Sequence, residues 1–472
     1  MKVLLVEADY KNKYPPLGLM KISTYHKGIG DEVVFVKGKK EELKNQKWDR
    51  IYITTLFTFY WKKTVDTIKY YYKSVKNPAD LHVGGIMATL LEQDLRSEAS
   101  IQGITIRTGL LNQPNMLGNE TIPVDLMTPD YSIIDKDSNK YLDYEYEVQN
   151  AYMASTTKGC IRKCKFCAVS TLEPTYCAYI DIKSQIKEVN KLYGEKRNLM
   201  LMDNNILASP MLEQIVDDLE SLGFGRGNTS YEKQSGKRKL KQTRYVDFNQ
   251  GTDARLLTER TISQLARLEV KPLRIAFDHA DEENVRIYKK AQWLAAEHGF
   301  ENLSNYILFN FKDTPQELYY RLKVNIELNI AFKERKLNTS IWSFPMKYMP
   351  FSGEHRMDRK YIGEHWNAKM LRGVQCILNA THAVVGPKED FFNHAFGSTY
   401  EEFEELIYMP ELFITKRNDN ADKIEQWRQI YRNFNDAEKQ QFVGLIQNNV
   451  FSEVYIENEE MRLLYNWYMR QQ

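Results

Sequence analysis

Short apolar runs alternate with amphipathic segments over the first quarter of the chain. The apolar runs are rich in β-branched residues and have the length of strands, whereas the segments between them show helical spacing. Strands that alternate with helices favour a parallel sheet. The pattern therefore predicts an α/β domain with a doubly wound parallel sheet over residues 1–125. Its predicted strands are residues 1–7, 31–36, 50–54 and 81–83.

Strands and helices continue to alternate after residue 150, and here polar side chains follow each strand-length run directly. A helix is predicted over residues 182–193, ahead of these runs. The runs are residues 198–203, 246–249, 273–278, 305–310 and 340–344. Residues 351–472 show helical spacing, which predicts a C-terminal helical region, and residues 126–149 are interpreted as a linker.

The composition is that of a protein with several packed domains and no disulfide framework. The chain has 472 residues, 43% of them hydrophobic, and this length corresponds to about three domains at roughly 150 residues each. Five cysteines, three of them clustered, favour a reducing compartment, and neither a signal peptide nor a run of about 20 apolar residues is recognised. We therefore expect a cytoplasmic protein without a membrane span. The net charge of +2 attracts no partner as a whole, so affinity for nucleic acid would need a local patch.

The sequence Gly-Cys-Ile-Arg-Lys-Cys-Lys-Phe-Cys places three thiols within eight residues, at Cys160, Cys164 and Cys167. Thiolates hold iron in iron–sulfur clusters, normally one for each iron, so three of them around a four-iron cluster leave one iron without a protein ligand. An open metal position permits catalysis, by the logic that separates catalytic from structural zinc sites. Neighbouring cations favour the thiolate form. They are Lys158, Arg162, Lys163 and Lys165.

A structural metal site is the alternative interpretation of these thiols. Zinc would need a fourth ligand, and the nearby Cys177 follows Cys167 by ten residues, a spacing unlike that of common zinc knuckles. The residues by themselves support a metal site without choosing the metal.

The C-x3-C-x2-C spacing, with Gly159 before the first cysteine and Phe166 before the third, closely resembles the motif of the radical S-adenosylmethionine (SAM) superfamily. The resemblance implies a 4Fe-4S cluster on Cys160, Cys164 and Cys167, with SAM bound at the open iron and Phe166 in the cofactor-binding set. It implies reductive cleavage of SAM to a 5'-deoxyadenosyl radical, with a reductant such as flavodoxin or ferredoxin. The radical would abstract hydrogen from an unidentified substrate.

The strands after residue 150 resemble the partial (β/α) barrel of the same superfamily, which the resemblance implies for residues 150–350. Polar side chains after such strands face the ligand at the C-terminal side of the barrel. An ordinary cap, turn or surface ion pair is the alternative for each of them. The set expected near the amino group of SAM is Asp203, Asn204 and Asn205. The set expected at its ribose, its carboxylate or the substrate is Asn249, Gln250, Asp253 and Arg255.

Two loops of the first domain resemble those of the cobalamin-binding-type domain that often precedes a radical SAM domain. Pro15 and Gly18 follow the first strand, and Gly84 and Gly85 follow the fourth. Glycines there would let the backbone approach a large planar ligand, although a glycine pair is also a common tight turn. Residues 9–13 lack the His that offers an axial ligand in many cobalamin proteins. Cobalamin binding is therefore open, and a bound cobalamin would favour a methyltransferase.

Residues 226–244 interrupt the barrel pattern with a basic segment. It contains one acid, Glu232, and its glycine, serine and charge predict a solvated loop. Such a loop could contact phosphates while Tyr231 and Tyr245 stack on bases, or it could have no partner. The segment supports a competing function, a non-catalytic nucleic-acid-binding protein with a structural metal. The cations are Arg226, Lys233, Lys237, Arg238, Lys239, Lys241 and Arg244.

Overall fold

The computed structural model describes residues 1–235 and 238–469. The chain divides into two compact units. The first consists of Met1–Thr252, Ser263–Lys271 and Met349–Tyr361. The second consists of the described parts of Asp253–Ile262, Pro272–Tyr348 and Ile362–Gln472. The domain boundaries that the sequence suggests near residues 125, 149 and 350 stay predictions.

A parallel sheet with helices between its strands forms the start of the first unit. The strands are β1 (Lys2–Glu7), β2 (Glu32–Lys37), β3 (Arg50–Thr55), β4 (Leu81–Gly85) and β5 (Thr105–Arg107). The helices are α1 (Leu17–Gly28), α2 (Glu41–Lys44), α3 (Trp61–Tyr71), α4 (Ile86–Leu90) and α5 (Glu92–Ser97). The strand order β2-β1-β3-β4-β5 places the reversal of the winding between β1 and β3. The predicted doubly wound sheet is thus confirmed, with β5 as an addition.

Strand β1 is covered on both faces of this sheet. The side chains from Val3 to Val6 are completely buried, as expected for a parallel strand between two helical layers. Leu4 and Val6 share one core with Val65 and Ile68 of α3. The C-terminal ends of the strands, which we call the carboxyl edge, therefore present their loops from a rigid platform.

Strands and helices continue to alternate in the next part of the chain, as the sequence predicted, and two further strands form an antiparallel pair. The strands are β6 (Ala151–Ala154), β7 (Asn198–Leu201), β8 (Tyr231–Ser235), β9 (Arg238–Gln242), β10 (Val246–Phe248), β11 (Leu273–Arg274), β12 (Asn302–Phe309) and β13 (Ser340–Lys347). The helices are α6 (Val169–Leu172), α7 (Ile182–Tyr193), α8 (Leu212–Leu219), α9 (Glu259–Leu265), α10 (Glu282–Glu297) and α11 (Pro315–Glu334). One parallel sheet has the order β10-β7-β6 and another the order β11-β12-β13. β11 is shorter than the predicted strand, whereas β13 is longer.

The C-terminal part of the chain is helical, as predicted. Its helices are α12 (Ala368–Ala380), α13 (Glu389–Phe396), α14 (Tyr400–Tyr408), α15 (Glu411–Thr415), α16 (Ala421–Asn433), α17 (Asp436–Ile446) and α18 (Glu459–Met469). The first begins at Ala368, later than residue 351, where the predicted helical region begins. Asn367 caps it by accepting from the N–H of Met370, and Gly363 donates its N–H to the Asn310 side chain at 2.7 Å. A side-chain carbon added at Gly363 would lie 2.9 Å from the Asn310 carbonyl oxygen. Close contact with Asn310 therefore holds the segment before α12 as a loop.

The basic segment contains a β-hairpin, so the loop predicted over residues 226–244 is wrong. β8 and β9 pair as antiparallel strands, with Tyr231 opposite Gln242. Cross-strand pairing satisfies the backbone hydrogen-bonding groups of this segment. Its side chains show no apolar face, so the hydrophobic pattern did not indicate strands. Lys237 lies outside the described residues, and the nucleic-acid contact stays a prediction.

Arg244 does not belong to the basic surface, because it is 4% exposed. Its guanidinium donates to the carbonyls of Lys196, Arg197 and Leu222 at 3.0–3.2 Å and lies 4.2 Å from the Phe224 ring centroid. It anchors the segment that precedes β10.

None of the helices in the described part of the chain has the length and hydropathy needed to cross a membrane.

Candidate active site

The three cysteines lie on the loop between β6 and α6, and their side chains are half-buried. The N–H of Cys167 donates to the carbonyl of Cys164 at 3.0 Å, which tightens the loop. Cys160 Sγ accepts from the N–H of Arg162 at 3.3 Å and from the amide of Asn205 at 3.6 Å. Donors to sulfur stabilise a thiolate and tune a metal bound to it. In the residues that the structure describes, no three His, Cys, Asp or Glu side chains converge as a preformed metal site.

Gly159 sets the direction in which the chain enters this loop. Its φ of +72° lies in the left-handed region, and an added side-chain carbon would lie 2.6 Å from the Thr175 carbonyl oxygen. Only glycine fits this position without displacement of the backbone. The N–H of Gly159 donates to the carboxylate of Glu173 at 2.6 Å.

Glu173 is one of two carboxylates that hold the cysteine loop. Besides Gly159 it accepts from the amide of Asn204 at 2.7 Å. Lys158 Nζ lies 4.0 Å from Glu173 and 3.5 Å from Asp125, so opposite charges alternate along this wall. Glu173 therefore joins the start of the loop to the turn after β7.

Asp125 continues this row of charges toward α1. Its carboxylate lies 3.3 Å from Lys21 Nζ. Burial opposes its ionisation, but Lys21 and Lys158 outweigh burial and keep the pKa of Asp125 below its ordinary value. Burial lowers the pKa of Lys21, which Asp125 partly offsets. The row thus pairs charges that would be unfavourable alone.

Asp203 is the second carboxylate, and it lies under the loop. It is 2% exposed and accepts from the N–H and hydroxyl groups of both Thr156 and Thr157, with hydroxyl distances of 2.7 and 2.6 Å. Burial raises the pKa of this carboxyl. The sequence predicts a contact with the amino group of SAM, whereas the structure ties Asp203 to the segment that precedes the cysteines.

Asn205 has an acceptor without a partner next to the first thiol. The residue is 3% exposed, and its Oδ1 atom is buried with no hydrogen-bond donor in the described part of the chain. A buried amide oxygen without a donor is unfavourable by about 1–3 kcal/mol. A ligand with an N–H group would satisfy it, so the residues here fit a group that binds beside Cys160.

A cavity of about 410 Å³ lies between the carboxyl edge of the first sheet and the cysteine loop, entirely within the first unit. Leu17, Gly18 and Gly84 line it from the sheet side, and Glu173 and Asn204 line it from the loop side. Most of its wall is apolar, and this volume is in the range of small-molecule sites. The loop side therefore contributes polar groups to a largely apolar chamber.

The other predicted cofactor residues differ in their surroundings. Gln250 lines the cavity, and Asn249 is buried and accepts from the Tyr14 hydroxyl at 2.7 Å. Asp253 and Arg255 belong to the second unit, where two hydrogen bonds of 2.7 and 3.0 Å join the carboxylate and the guanidinium. This is the ion pair that the sequence left as an alternative. Phe166 is half-buried in the cysteine loop.

Gly85 owes its conformation to β3. Its φ is +105°, and an added side-chain carbon would lie 2.5 Å from the Thr55 carbonyl oxygen. At Gly84 the same carbon would meet Arg107 at 3.4 Å, and at Gly18 it would meet nothing within 4 Å. Gly85 thus fits the tight strand-to-helix turn that the sequence left as an alternative, and among the three predicted glycines Gly18 is the one with open space at the cavity.

Sequence reasoning missed Glu173, Asp125 and His82. No sequence motif marks the two carboxylates, because the groups that they contact in the structure are not their neighbours along the chain. His82 is a polar residue inside an apolar strand, a signal that could have been used. It lines the cavity and is 5% exposed. Burial and then the charge of Arg107 lower the pKa of His82 to about 3, so the ring is neutral near pH 7.

No protein-family model and no curated protein matches the chain. Among solved structures, it is similar to the cobalamin-dependent SAM radical enzyme OxsB with aqua-cobalamin and SAM bound, at 10% identity and a TM-score of 0.51 over 99% of this chain and 83% of that chain. It is also similar to the radical SAM methyltransferase TsrM from Kitasatospora setae, with tryptophan substrate and a SAM analog bound, at 14% identity and a TM-score of 0.44 over 74% of this chain and 73% of that one. The likeness to OxsB shows a shared overall fold, and it agrees with the parallel α/β architecture that the sequence predicted.

Proposed function

We propose that the protein is a radical SAM enzyme that holds a 4Fe-4S cluster on Cys160, Cys164 and Cys167 and cleaves SAM reductively. The observation that carries the proposal is the cysteine loop itself, with three half-exposed thiols on a backbone held by two carboxylates. Three thiolates suit a four-iron cluster with one open iron, and a closed zinc site would need a fourth ligand.

The residues around the loop have separate tasks in this proposal. Asp203 and Glu173 keep the loop in one conformation, and Asn205 offers its unpartnered oxygen to the amino group of SAM. The largely apolar cavity excludes water from a reactive radical. A bound cluster would supply the electron that splits SAM, with a cytoplasmic flavodoxin or ferredoxin as the source of that electron.

A cobalamin-dependent methyltransferase is the second candidate, favoured by the cavity at the carboxyl edge. Doubly wound sheets bind ligands at this edge, and the similar fold of OxsB has aqua-cobalamin bound. Residues 9–13 offer no His ligand, so cobalamin would bind without an imidazole from this loop. Gly18 and Leu17 would lie beside the bound corrin. Methyl transfer from SAM is the chemistry that cobalamin would add.

Anaerobic reconstitution tests the main proposal. We expect about four irons per chain and, with a strong reductant, conversion of SAM to 5'-deoxyadenosine. Alanine at Cys160, Cys164 or Cys167 should abolish both.

Two further cysteines serve as matched controls. Cys177 is exposed, with its thiol 3.4 Å from the Tyr179 carbonyl, and Cys376 is buried in α12. Cys177→Ala and Cys376→Ala should keep the cluster and SAM cleavage. Loss of iron in Cys177→Ala would indicate four protein ligands. A protein that holds only zinc and cleaves no SAM would favour the competing function, a nucleic-acid-binding protein with a structural metal.

A further inference from the structure

A second, basic cleft opens at the carboxyl edge of the first sheet, on the side of β2 and α3. Its volume is about 750 Å³, and it shares no lining residue with the cavity beside the cysteine loop. Segments that follow three neighbouring strands build it, with Asp9 after β1, Lys39 after β2 and Phe59 after β3. Because doubly wound sheets bind ligands where the winding reverses, between β1 and β3 here, this cleft lies at a favoured ligand position.

Lysines dominate the charge of this cleft. Five of them line it against three aspartates, and the buried Glu7 that pairs with Lys37 lowers the balance from +2 to +1. Lysines that converge from separate segments create a positive potential that attracts anions. The lysines are Lys37, Lys39, Lys40, Lys62 and Lys63, and the aspartates are Asp9, Asp66 and Asp143.

Three ion pairs among the described residues join lysines of the cleft to its aspartates, and one of them joins Lys40 to Asp143, whose side chain is 77% exposed. Lys62 lies 2.7 Å from Asp66, but its side chain is 88% exposed, and Lys63 is 3.9 Å from an exposed Asp9. Exposed pairs of this kind contribute little stability. Lys39 forms no ion pair with a carboxylate in the described part of the chain; its ammonium lies 5.7 Å from the Tyr70 ring centroid.

One cation of the cleft is rigid. Lys37 is buried, and its ammonium donates to Glu7 and Asn12 at 2.7 and 2.8 Å while it lies 4.4 Å from the Tyr144 ring centroid. Because Glu7 compensates the charge of Lys37, the exposed lysines of the cleft would supply the contacts with a ligand that carries several negative charges. Lysine binds phosphate as a point charge, without the planar geometry that arginine imposes.

We propose that this cleft binds a phosphorylated anion, with the charge of a diphosphate, at a site separate from that of SAM. The charged group would displace Asp66 from Lys62 and Asp143 from Lys40, and would add a contact with Lys39. Diphosphate groups occur in free nucleotides, and single phosphates repeat along nucleic-acid backbones. The proposal does not depend on the cluster or on SAM cleavage.

Calorimetric titration of the full chain at 50 and 200 mM salt tests it, with pyrophosphate, ATP and a short single-stranded oligonucleotide as separate ligands. We expect pyrophosphate and ATP to bind with one site per chain and more weakly at the higher salt. Tighter binding of the oligonucleotide than of both would instead indicate a nucleic-acid surface. Absence of pyrophosphate and ATP binding at 50 mM salt would overturn the proposal.

Charge substitutions inside and outside the cleft locate the site. Lys39→Glu with Lys62→Glu should weaken pyrophosphate binding by about tenfold or more, since two charge-assisted contacts are lost. Lys73→Glu is the matched control, because Lys73 is exposed in the same domain and does not line the cleft. An equal loss in the control would mean nonspecific attraction and contradict the proposal. Lys39→Gln with Lys62→Gln repeats the test without new acids, and melting temperatures of all variants verify folding.

Discussion

The two walls of the cavity beside the cysteine loop achieve their shape by different means. On the loop side, side chains hold the backbone: Asp203 accepts from Thr156 and Thr157, and Glu173 accepts from Gly159. On the sheet side, strand geometry holds the turn at Gly85. The comparison teaches that the backbone around one cavity can be held by strand geometry on one wall and by carboxylate side chains on the other.

The largest effect is expected where the sheet wall depends on one glycine. Gly85→Val would force a branched residue to a φ of +105° and its side-chain carbon to 2.5 Å from the Thr55 carbonyl oxygen. Strain and overpacking should lower the free energy of unfolding by about 2–6 kcal/mol, measured by urea denaturation. Gly84→Ala is the matched control and should lose less than about 1 kcal/mol. Equal stability of both variants would refute this account of the turn.

A slightly smaller effect is expected at the deeper carboxylate of the loop wall. Asp203→Ala leaves the donors of Thr156 and Thr157 buried without an acceptor, which should destabilise the fold by about 2–5 kcal/mol. Iron content after reconstitution should fall with it, because the segment before Cys160 is no longer held. The measurements are urea denaturation and iron per chain. Full iron loading at unchanged stability would return Asp203 to the direct contact with SAM that the sequence predicts.

Substitution of Glu173 should lower the rate of SAM cleavage more than the free energy of unfolding, because Glu173 is closer to solvent than Asp203. Glu173→Ala removes the bonds to Gly159 and Asn204, and we expect iron content to persist while SAM cleavage falls by about tenfold. Glu173→Gln keeps an acceptor for Gly159 and should recover part of the rate. The electron paramagnetic resonance signal of the SAM-bound cluster should shift in Glu173→Ala. An unchanged signal and rate would show that Glu173 does not position the loop.

Gly18 tests the proposed ligand of the sheet wall without damage to the fold. Gly18→Phe would place a ring in the cavity, whereas Gly28→Phe puts the same ring at the other end of α1, also with nothing within 4 Å of the first side-chain carbon. If cobalamin binds, only Gly18→Phe should lose cobalamin absorbance on a desalting column, with a melting temperature near that of Gly28→Phe. Wild-type protein that emerges colourless would eliminate the cobalamin-dependent candidate.

The smallest effect at neutral pH belongs to His82 of the sheet wall, because its effect develops only as the pH falls. The pKa of His82 is about 3 in the folded protein, against 6.5 for the ordinary side chain, because of burial and the charges of Arg107, Arg50 and His26. The unfolded chain therefore binds more protons between these values, and stability should fall as the pH falls from about 6.5 toward 3. His82→Gln should flatten the decline in urea midpoint. Burial also lowers the pKa of His26, so part of the decline should remain in His82→Gln. An identical slope in His82→Gln would refute the assignment.

Hydrophobic periodicity predicted the elements whose neighbours along the chain determine them. β1, β3, β12 and α7 are strongly patterned, and each appears where the sequence indicated, with small shifts at its ends. Periodicity did not predict the hairpin of β8 and β9, because cross-strand pairing stabilises it and no apolar face marks it. The start of α12 was missed for a similar reason, since Gly363 is held by Asn310 from a distant part of the chain.

The sequence by itself determined the chemistry that this protein can host: three thiols at a spacing suited to an iron–sulfur cluster, and the alternation of strands and helices that builds the fold. Ligand spacing and periodicity are local properties of the chain, so they can be recognised along it. Only the tertiary structure decided which polar groups act together. It joined Asp203 to Thr156 and Glu173 to Gly159, because burial removes water as a partner and each buried donor or acceptor must then pair with a group that the fold brings near.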